Sequence, residues 1–271
     1  MAVPDFARRS TVGRVYHHRR VLRIMVQRDL RVRYAQSFLG YLWTILDPLA
    51  MSLVYFVVFA LIFKRAEVGY SPYFLFLITG LLPWQWFNAS VVEGARALLA
   101  EAKLVRSTRL PRELWVARVV IAKGIEFVLS LPVLIVFTIA YIIRGEAQLD
   151  WQLVLIPVGM ALQFVLLTGL GLLLSPIQVL VNDTQPVVRI VLRVLFYGTP
   201  IIYTVDHAPG WLATVLWFNP MSGILEFYRA GFFQQALRLE PIVISVVMCV
   251  GIFVLGRFVF KRLERSVLKE I

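Results

Sequence analysis

Acidic residues are scarce in this chain: 16 Asp and Glu stand against 28 Lys and Arg, and its 271 residues hold three histidines and one cysteine. The lone Cys249 excludes an intrachain disulfide and any metal site built on several thiolates. His17 and His18 are neighbours, so on a helix they would point about 100° apart, and with His207 they make no metal set. No G-x-x-x-x-G-K-[S/T] occurs, so the chain carries no P-loop for ATP. G-x-S-x-G and H-E-x-x-H are missing too, and no two acids stand one residue apart to hold a metal-bound nucleotide sugar. These absences weigh against an enzyme. The first 37 residues hold nine arginines and no apolar run long enough for a signal-peptide core, so no cleavable signal is expected.

What the chain has is apolar surface. It is 59% hydrophobic with a mean hydropathy of +0.77 and a net charge of +12. Soluble domains sit near about 45–50% apolar, so the composition is that of an integral membrane protein with basic ends. Such a chain has little soluble surface on which to hold nucleic acid. The charge is better read as fixing topology and meeting anionic lipid.

Crossing the hydrocarbon core takes roughly 20 apolar residues. Six candidate spans satisfy this: 38–63, 73–92, 119–143, 152–180, 188–204 and 242–260. Ser71-Pro72 and Glu240-Pro241 each place proline where a helix begins, and Asn182-Asp183-Thr184-Gln185-Pro186 is a polar break. Of the 28 Lys and Arg, with Lys123 set aside inside the third span, twenty-two fall in or next to the segments of one side and five on the other, which puts both termini in the cytoplasm by the positive-inside rule. Residues 205–240 fit this parity only as two short helices dipping back from the outer side and broken at Asn219-Pro220. Irregular backbone at that depth must be covered by protein or line a wet cavity. The resulting organisation is a cytoplasmic segment 1–37, a six-span domain 38–260 with a cytoplasmic loop 93–118 and the outer hairpin 205–240, and a basic tail 261–271.

Several stretches carry more than hydropathy. Residues 12–36 read as an amphipathic helix at the headgroup boundary, with Val15, Leu22, Val26 and Leu30 down and Arg19, Arg20, Arg23, Arg28 and Arg31 outward. It is either a topology anchor or a platform beside the inlet for an anionic substrate. Asp47 and Pro48 fall inside the first span. A carboxylate there costs about 2.5–3.5 kcal/mol and usually faces a bundle interior or water, while a proline frees the carbonyl four residues back. The pair marks either a hydrated path or a packing contact with a basic group. Residues 94–105 have helix-forming composition ended by Ser107 to Pro111, and they suit either docking into another protein or a plain connector. Lys123 and Glu126 can pair on one face of the third span.

Aromatic side chains gather toward the outer half: Trp84, Trp86, Phe87, Tyr197, Tyr203, Trp211, Trp217, Phe218, Phe227, Tyr228, Phe232 and Phe233. With Tyr41 and Trp43 they fit an interfacial belt, and equally the lining of a path for sugar rings.

The run RDLRVRYAQSFLGYLWTILDPL (28–49), PWQWF in the second span, TRLP in the cytoplasmic loop, and WFNPM followed by EFYRAGFF in the hairpin resemble the permease subunit of type-2 ABC exporters. The resemblance covers nearly the whole chain and points to the group that exports lipid-linked polysaccharide: O-antigen, teichoic acid or galactan. It implies an all-α fold of six transmembrane helices with an amphipathic interface helix and an outer re-entrant hairpin. It further implies a homodimer in the bacterial inner membrane, working with two copies of a separate ATPase that binds ATP and Mg. The substrate would be a polyprenyl-diphosphate-linked glycan, with no cofactor in this chain. On the resemblance, Arg28, Arg31, Arg33 and Tyr34 border the lipid-diphosphate inlet. Tyr41, Trp43, Asp47, Pro48, Trp84, Trp86, Phe87, Tyr197 and Tyr203 line the path. Trp211, Trp217, Phe218, Glu226, Tyr228 and Arg229 form the outer gate, and Glu93, Arg96, Glu101 and Lys103 meet the ATPase. The rival expectations are export of a small amphiphile and, from another class, a membrane-embedded transferase acting on polyprenyl lipids.

Overall fold

The computed structural model describes residues 17–35, 37–62, 70–207, 209–233 and 237–271, without the side chains of Tyr34 and His207. The expected helical residues 12–16, the Tyr34 ring and Lys64 and Arg65 therefore lie outside the description. The described residues are helical with no strand. Helix α1 spans Arg19–Tyr34, and α2 spans Trp43–Phe56, entered by a 3-10 turn at Gly40–Leu42 and continued by π-helical turns over Val57–Ile62. Then follow α3 (Tyr73–Ala95), α4 (Ala102–Ser107), α5 (Glu113–Ile143) and α6 (Ile156–Leu180). The last four are α7 (Thr184–Tyr197), α8 (Gly210–Trp217), α9 (Pro220–Arg229) and α10 (Leu239–Glu270).

Among the described residues, five helical stretches are long and apolar enough to cross a membrane: Gly40–Ile62, Tyr73–Ala95, Glu113–Ile143, Trp151–Leu180 and Leu239–Glu270. α3 is the central one. Most of its side chains are buried, including Leu75, Phe76, Leu77, Ile78, Leu81 and Leu82. α5 and α10 overrun a hydrocarbon core, since their 31 and 32 residues reach about 46–48 Å at 1.5 Å per residue. The basic residues after 260 thus extend α10 and do not form a separate tail. Phe260 and Val267 are buried there beside Leu98, Val105, Trp115 and Val179, and Arg106 donates to the Ile271 carbonyl at 3.0 Å.

Three expectations are corrected. The loop helix expected over 94–105 is instead the end of α3, a turn, and the six-residue α4, because Ala95, Ala97, Leu98 and Val105 turn inward to the cluster at that end. The apolar stripe of α1 does not face lipid. Leu22 and Val26 bury against Leu114, Ala117 and Ala122 of α5, whose overhang supplies a protein surface for it. The helix expected over 188–204 stops at Tyr197. Pro200 lacks an N–H and disfavours the helical region at Thr199.

α7 is nevertheless placed along the full height of α3. Gln185 Nε2 donates to the Val92 carbonyl at 3.5 Å, and Tyr73 Oη donates to the Ile202 carbonyl at 3.0 Å. Residues 73 and 92 of a helix are about 28 Å apart. Residues 184–202 cover that rise by 14 helical residues and an irregular end. That end is tied to α9. Asn219, which caps α9 by accepting from Met221 N at 2.9 Å, donates to the Gly198 carbonyl at 3.0 Å, and Arg229 donates to the Pro200 and Ile201 carbonyls at 2.6 and 3.0 Å. The expected helix break at Asn219-Pro220 is where the structure has it.

α6 and α10 pack along each other so closely that a Cβ on Gly256 would lie 2.1 Å from the Gly169 carbonyl oxygen. Small residues at helix crossings let backbones approach where lipid gives no hydrophobic drive. Gly256→Val is therefore expected to cost about 1–3 kcal/mol or more, read as a lower melting temperature of the detergent-extracted chain. Gly251→Val, where a Cβ meets nothing within 4 Å, is expected to melt as the parent does. Equal melting of the two variants would refute the close crossing.

Candidate functional site

The second half of α3 carries a polar stripe, Gln85, Asn88 and Glu93, continued by Arg96 just past its end, at spacings that return to one helical face. The stripe floors two adjoining cavities. The first, about 510 Å³, is walled by Trp43, Thr44, Asp47 and Pro48 of α2 and by Lys123, Glu126 and Ser130 of α5. The second, about 660 Å³, lies toward the α1 end and is walled by Arg28, Asp29 and Arg33 of α1, by Glu101 and Arg118, and by Gln185 and Arg189 of α7. Arg33, Glu93, Lys123 and Glu126 line both. The two volumes thus form one furrow, flanked by α2 and α7 and closed at one end by α1.

Where the cavities meet, charges alternate. Lys123, only 3% exposed, reaches Glu93 at 2.9 Å and Glu126 at 3.1 Å, while Arg33 pairs with Glu126 at 3.2 Å and also with Glu93. A second group lies at the α1 end. Arg118, 5% exposed, holds Asp29 at 3.3 Å and Glu101 at 3.1 Å, and Arg28 pairs with the same two acids. Burial works against the charge on Glu101, but hydrogen bonds and the fields of Arg118 and Arg28 hold its carboxyl below the ordinary value.

The expected path residues divide sharply. Asp47 and Pro48 line the furrow, where Asp47 accepts from Gln85 Nε2 at 3.4 Å. Trp43 lines it as well, and Tyr41 is exposed beside it. Tyr197 is exposed on α7, and Tyr203 Oη donates to its carbonyl at 2.8 Å. Trp84 and Phe87 are core residues instead, tilted against each other at 5.2 Å. Trp86 edges the furrow but is fixed by stacking on Phe127 at 5.3 Å and by donating to the Val120 carbonyl at 3.3 Å.

The expected gate residues also separate. Trp211 and Phe218 are exposed, and Trp217 and Glu226 are half-buried. Tyr228 is buried edge-on to Phe127, and Arg229 is the internal clamp on residues 200–201. Of the residues expected at an ATPase, Lys103 projects outward beside exposed Leu99 and Leu104. Glu93 and Glu101 are engaged in the ion pairs above, and Arg96 lines the furrow. Arg28 and Arg33 border the furrow already paired, and Arg31 is exposed on α1. The α3 stripe was missed, as was the i, i+4 series Gln185, Arg189, Arg193 and Tyr197 along α7. The regular spacing of both is visible in the sequence.

A bundle of helices long and apolar enough to span a membrane, with a furrow holding polar groups in one half of its wall, suits a transport protein. The model of the ABC-2 type transporter family matches residues 20–233, and the chain belongs to that family. It is 35% identical to the O-antigen export system permease protein RfbA of Myxococcus xanthus, over 88% of this chain and 91% of that one. It is 30% identical to the protein of the same name from Klebsiella pneumoniae, over 90% and 92%. The polysialic acid transport protein KpsM of Escherichia coli is 24% identical over 79% of this chain and 83% of its own.

Proposed function

We propose that this chain is the membrane subunit of an exporter for a polyprenyl-diphosphate-linked polysaccharide, galactan among the candidates. The observation that carries the reading is the furrow itself. Gln85, Asn88 and Glu93 of α3, with Arg96 just past its end, set polar groups into a partly apolar floor, while the furrow's flanks present exposed apolar faces: Leu46, Leu53 and Val54 on α2, Leu61 in the π-helical turns that continue it, and Val187, Ile190, Val191 and Val194 on α7. Such flanks suit a second copy of the chain, which would close two furrows into one path. The export of O-antigen by relatives that match nearly end to end supports a glycan as cargo. On this reading both termini lie in the cytoplasm, residues 184–202 make a sixth crossing and 205–240 a hairpin dipping from outside. A separate ATPase binding ATP and Mg would push on the surface around Lys103. Closure of that ATPase pair must favour one arrangement of the two copies over the other for the path to open.

Depleting the protein in its host, with radiolabelled sugars followed into the lipid-extractable fraction, tests the reading. Build-up of long polyprenyl-linked polymer inside the cell is expected, and its sugars identify the cargo. A polymer that never forms would move the transferase reading ahead.

Export of a small amphiphile has its own observation. An apolar cavity of about 300 Å³ lies between α3, α5 and α9, walled by Leu82, Phe127, Leu134, Tyr228 and Phe232. Depletion that leaves polymer untouched but sensitises cells to hydrophobic compounds would favour that reading.

A further inference from the structure

The apolar cavity of about 300 Å³ stands apart from the furrow's flanks. Among the described residues none of α2 or α7 lines it, and Leu82 and Phe127 line both it and the first furrow cavity, so they stand between the two. Ile135, Ile139 and Leu149 at its rim are each about half exposed on the outside of the bundle, where a spanning helix such as α5 meets lipid. Among the described residues no charged side chain lines it, and three polar ones do. Two of these are spent: Thr79 Oγ1 donates to the Phe76 carbonyl at 2.9 Å, and Thr138 Oγ1 to the Leu134 carbonyl at 2.7 Å. The third is not. Tyr228 is 4% exposed, and its Oη has no hydrogen-bond partner among the described residues. A buried hydroxyl left so forfeits the hydrogen bond it would make in water.

We propose that this cavity binds a small neutral amphiphile, a single alkyl chain ending in a hydroxyl, which enters from the bilayer and bonds Tyr228 Oη. The inference goes beyond the export readings, since it concerns a resident ligand and not the cargo. Carbon walls accept an alkyl chain, and with no charged side chain on them an ionised head group would be buried without a partner, at prohibitive cost. One phenol oxygen without a partner asks for one hydrogen-bonding group. The volume lies at the lower end of the roughly 300–1,000 Å³ of small-molecule pockets. The ligand would touch a series of rings that joins the hairpin to the furrow. Tyr228 lies edge-on to Phe127 at 5.7 Å, Phe127 stacks on Trp86 at 5.3 Å, and Trp86 lines the furrow. Arg229, the next residue, holds the carbonyls of residues 200 and 201. A ligand that fits these walls favours this arrangement of α9 against α3 and α5 over any other.

The test photolabels the full-length chain in phospholipid nanodiscs with an octanol that carries a diazirine, and maps the adducts by mass spectrometry. Adducts are expected on α5 near Leu134 and Ile139 and on α9 near Tyr228. Tyr228→Phe is expected to raise the concentration for half-labelling about fivefold, the loss of one hydrogen bond. It should melt no lower than the parent, because it removes an oxygen that has no partner. Ile139→Trp, which closes the rim from its exposed side, should abolish the adducts. Val243→Trp, on the exposed face of α10, should leave them. Octane competing as well as octanol would deny Tyr228 its role and overturn the ligand class. Adducts spread over the lipid-facing helices and indifferent to the variants would overturn the site. Labelling that appears only once phospholipid is exchanged for detergent would assign the cavity to a phospholipid chain and overturn the alcohol as its occupant.

Discussion

Replacing Arg229 by methionine is expected to cost the chain a large part of its stability, about 3–5 kcal/mol against the 5–15 kcal/mol typical of a folded domain. Arg229 is 8% exposed and spends its charge inside the bundle. It donates to the Pro200 and Ile201 carbonyls at 2.6 and 3.0 Å, and its guanidinium lies 3.9 Å above the Phe76 ring. Those carbonyls exist as free acceptors because α7 ends at Tyr197. A methionine fills much of the same volume but leaves both acceptors buried without donors, at about 1–3 kcal/mol each. The cation over Phe76 would be lost with them. Arg229→Lys keeps a charge but has one donor centre for two carbonyls and should recover only part. The measurement is the melting temperature and monodispersity of the detergent-extracted chain. A methionine variant that melts with wild type would show that residues 198–202 hold their path without α9. Gly80→Ala probes the same clamp from the other side, since its Cβ would stand 2.8 Å from Arg229 Nη2.

The same clamp shows where sequence reading stops. The break at Asn219-Pro220 was legible because both signals are local: asparagine caps from its own side chain, and proline suits the first turn. The end of α7 was not, although Pro200 was in view. Gly198-Thr199-Pro200-Ile201-Ile202 is apolar enough to count toward a span, and hydropathy measures side chains while the helix is made of backbone. What makes a non-helical end tolerable inside a membrane protein is a donor for each freed carbonyl. Here the donors come from residues 219 and 229, beyond any local window. α1 teaches the complementary lesson. Its amphipathic spacing revealed that Leu22 and Val26 need cover, but it could not tell lipid from the overhang of α5. Lys123 and Glu126 were legible as a pair at three residues' spacing. Their enlargement into a four-membered cluster depends on Arg33 and Glu93, brought in by α1 and α3.

That cluster yields the second large effect. Lys123→Met should destabilise the chain by about 1–3 kcal/mol, the cost of removing one partner from a charge-assisted contact whose acids keep access to water in the furrow. Lys123 is 3% exposed and touches both Glu93 and Glu126, so its loss leaves two carboxylates facing one another across the furrow with Arg33 as their only remaining partner among the described residues. Pairing the substitution with Glu126→Leu removes the surplus acid. Apolar replacement of a buried ion pair is often neutral or stabilising, so the double variant should regain most of the lost melting temperature. Its export activity separates two roles for the cluster. If the four charges only brace α1, α3 and α5 against one another, restoring the fold restores export. If they form the polar wall along which a hydrated glycan passes, the double variant folds and still exports poorly, because a methionine and a leucine now stand where both cavities meet. The furrow's continuity predicts the second outcome, and full export from the refolded double variant would rule it out.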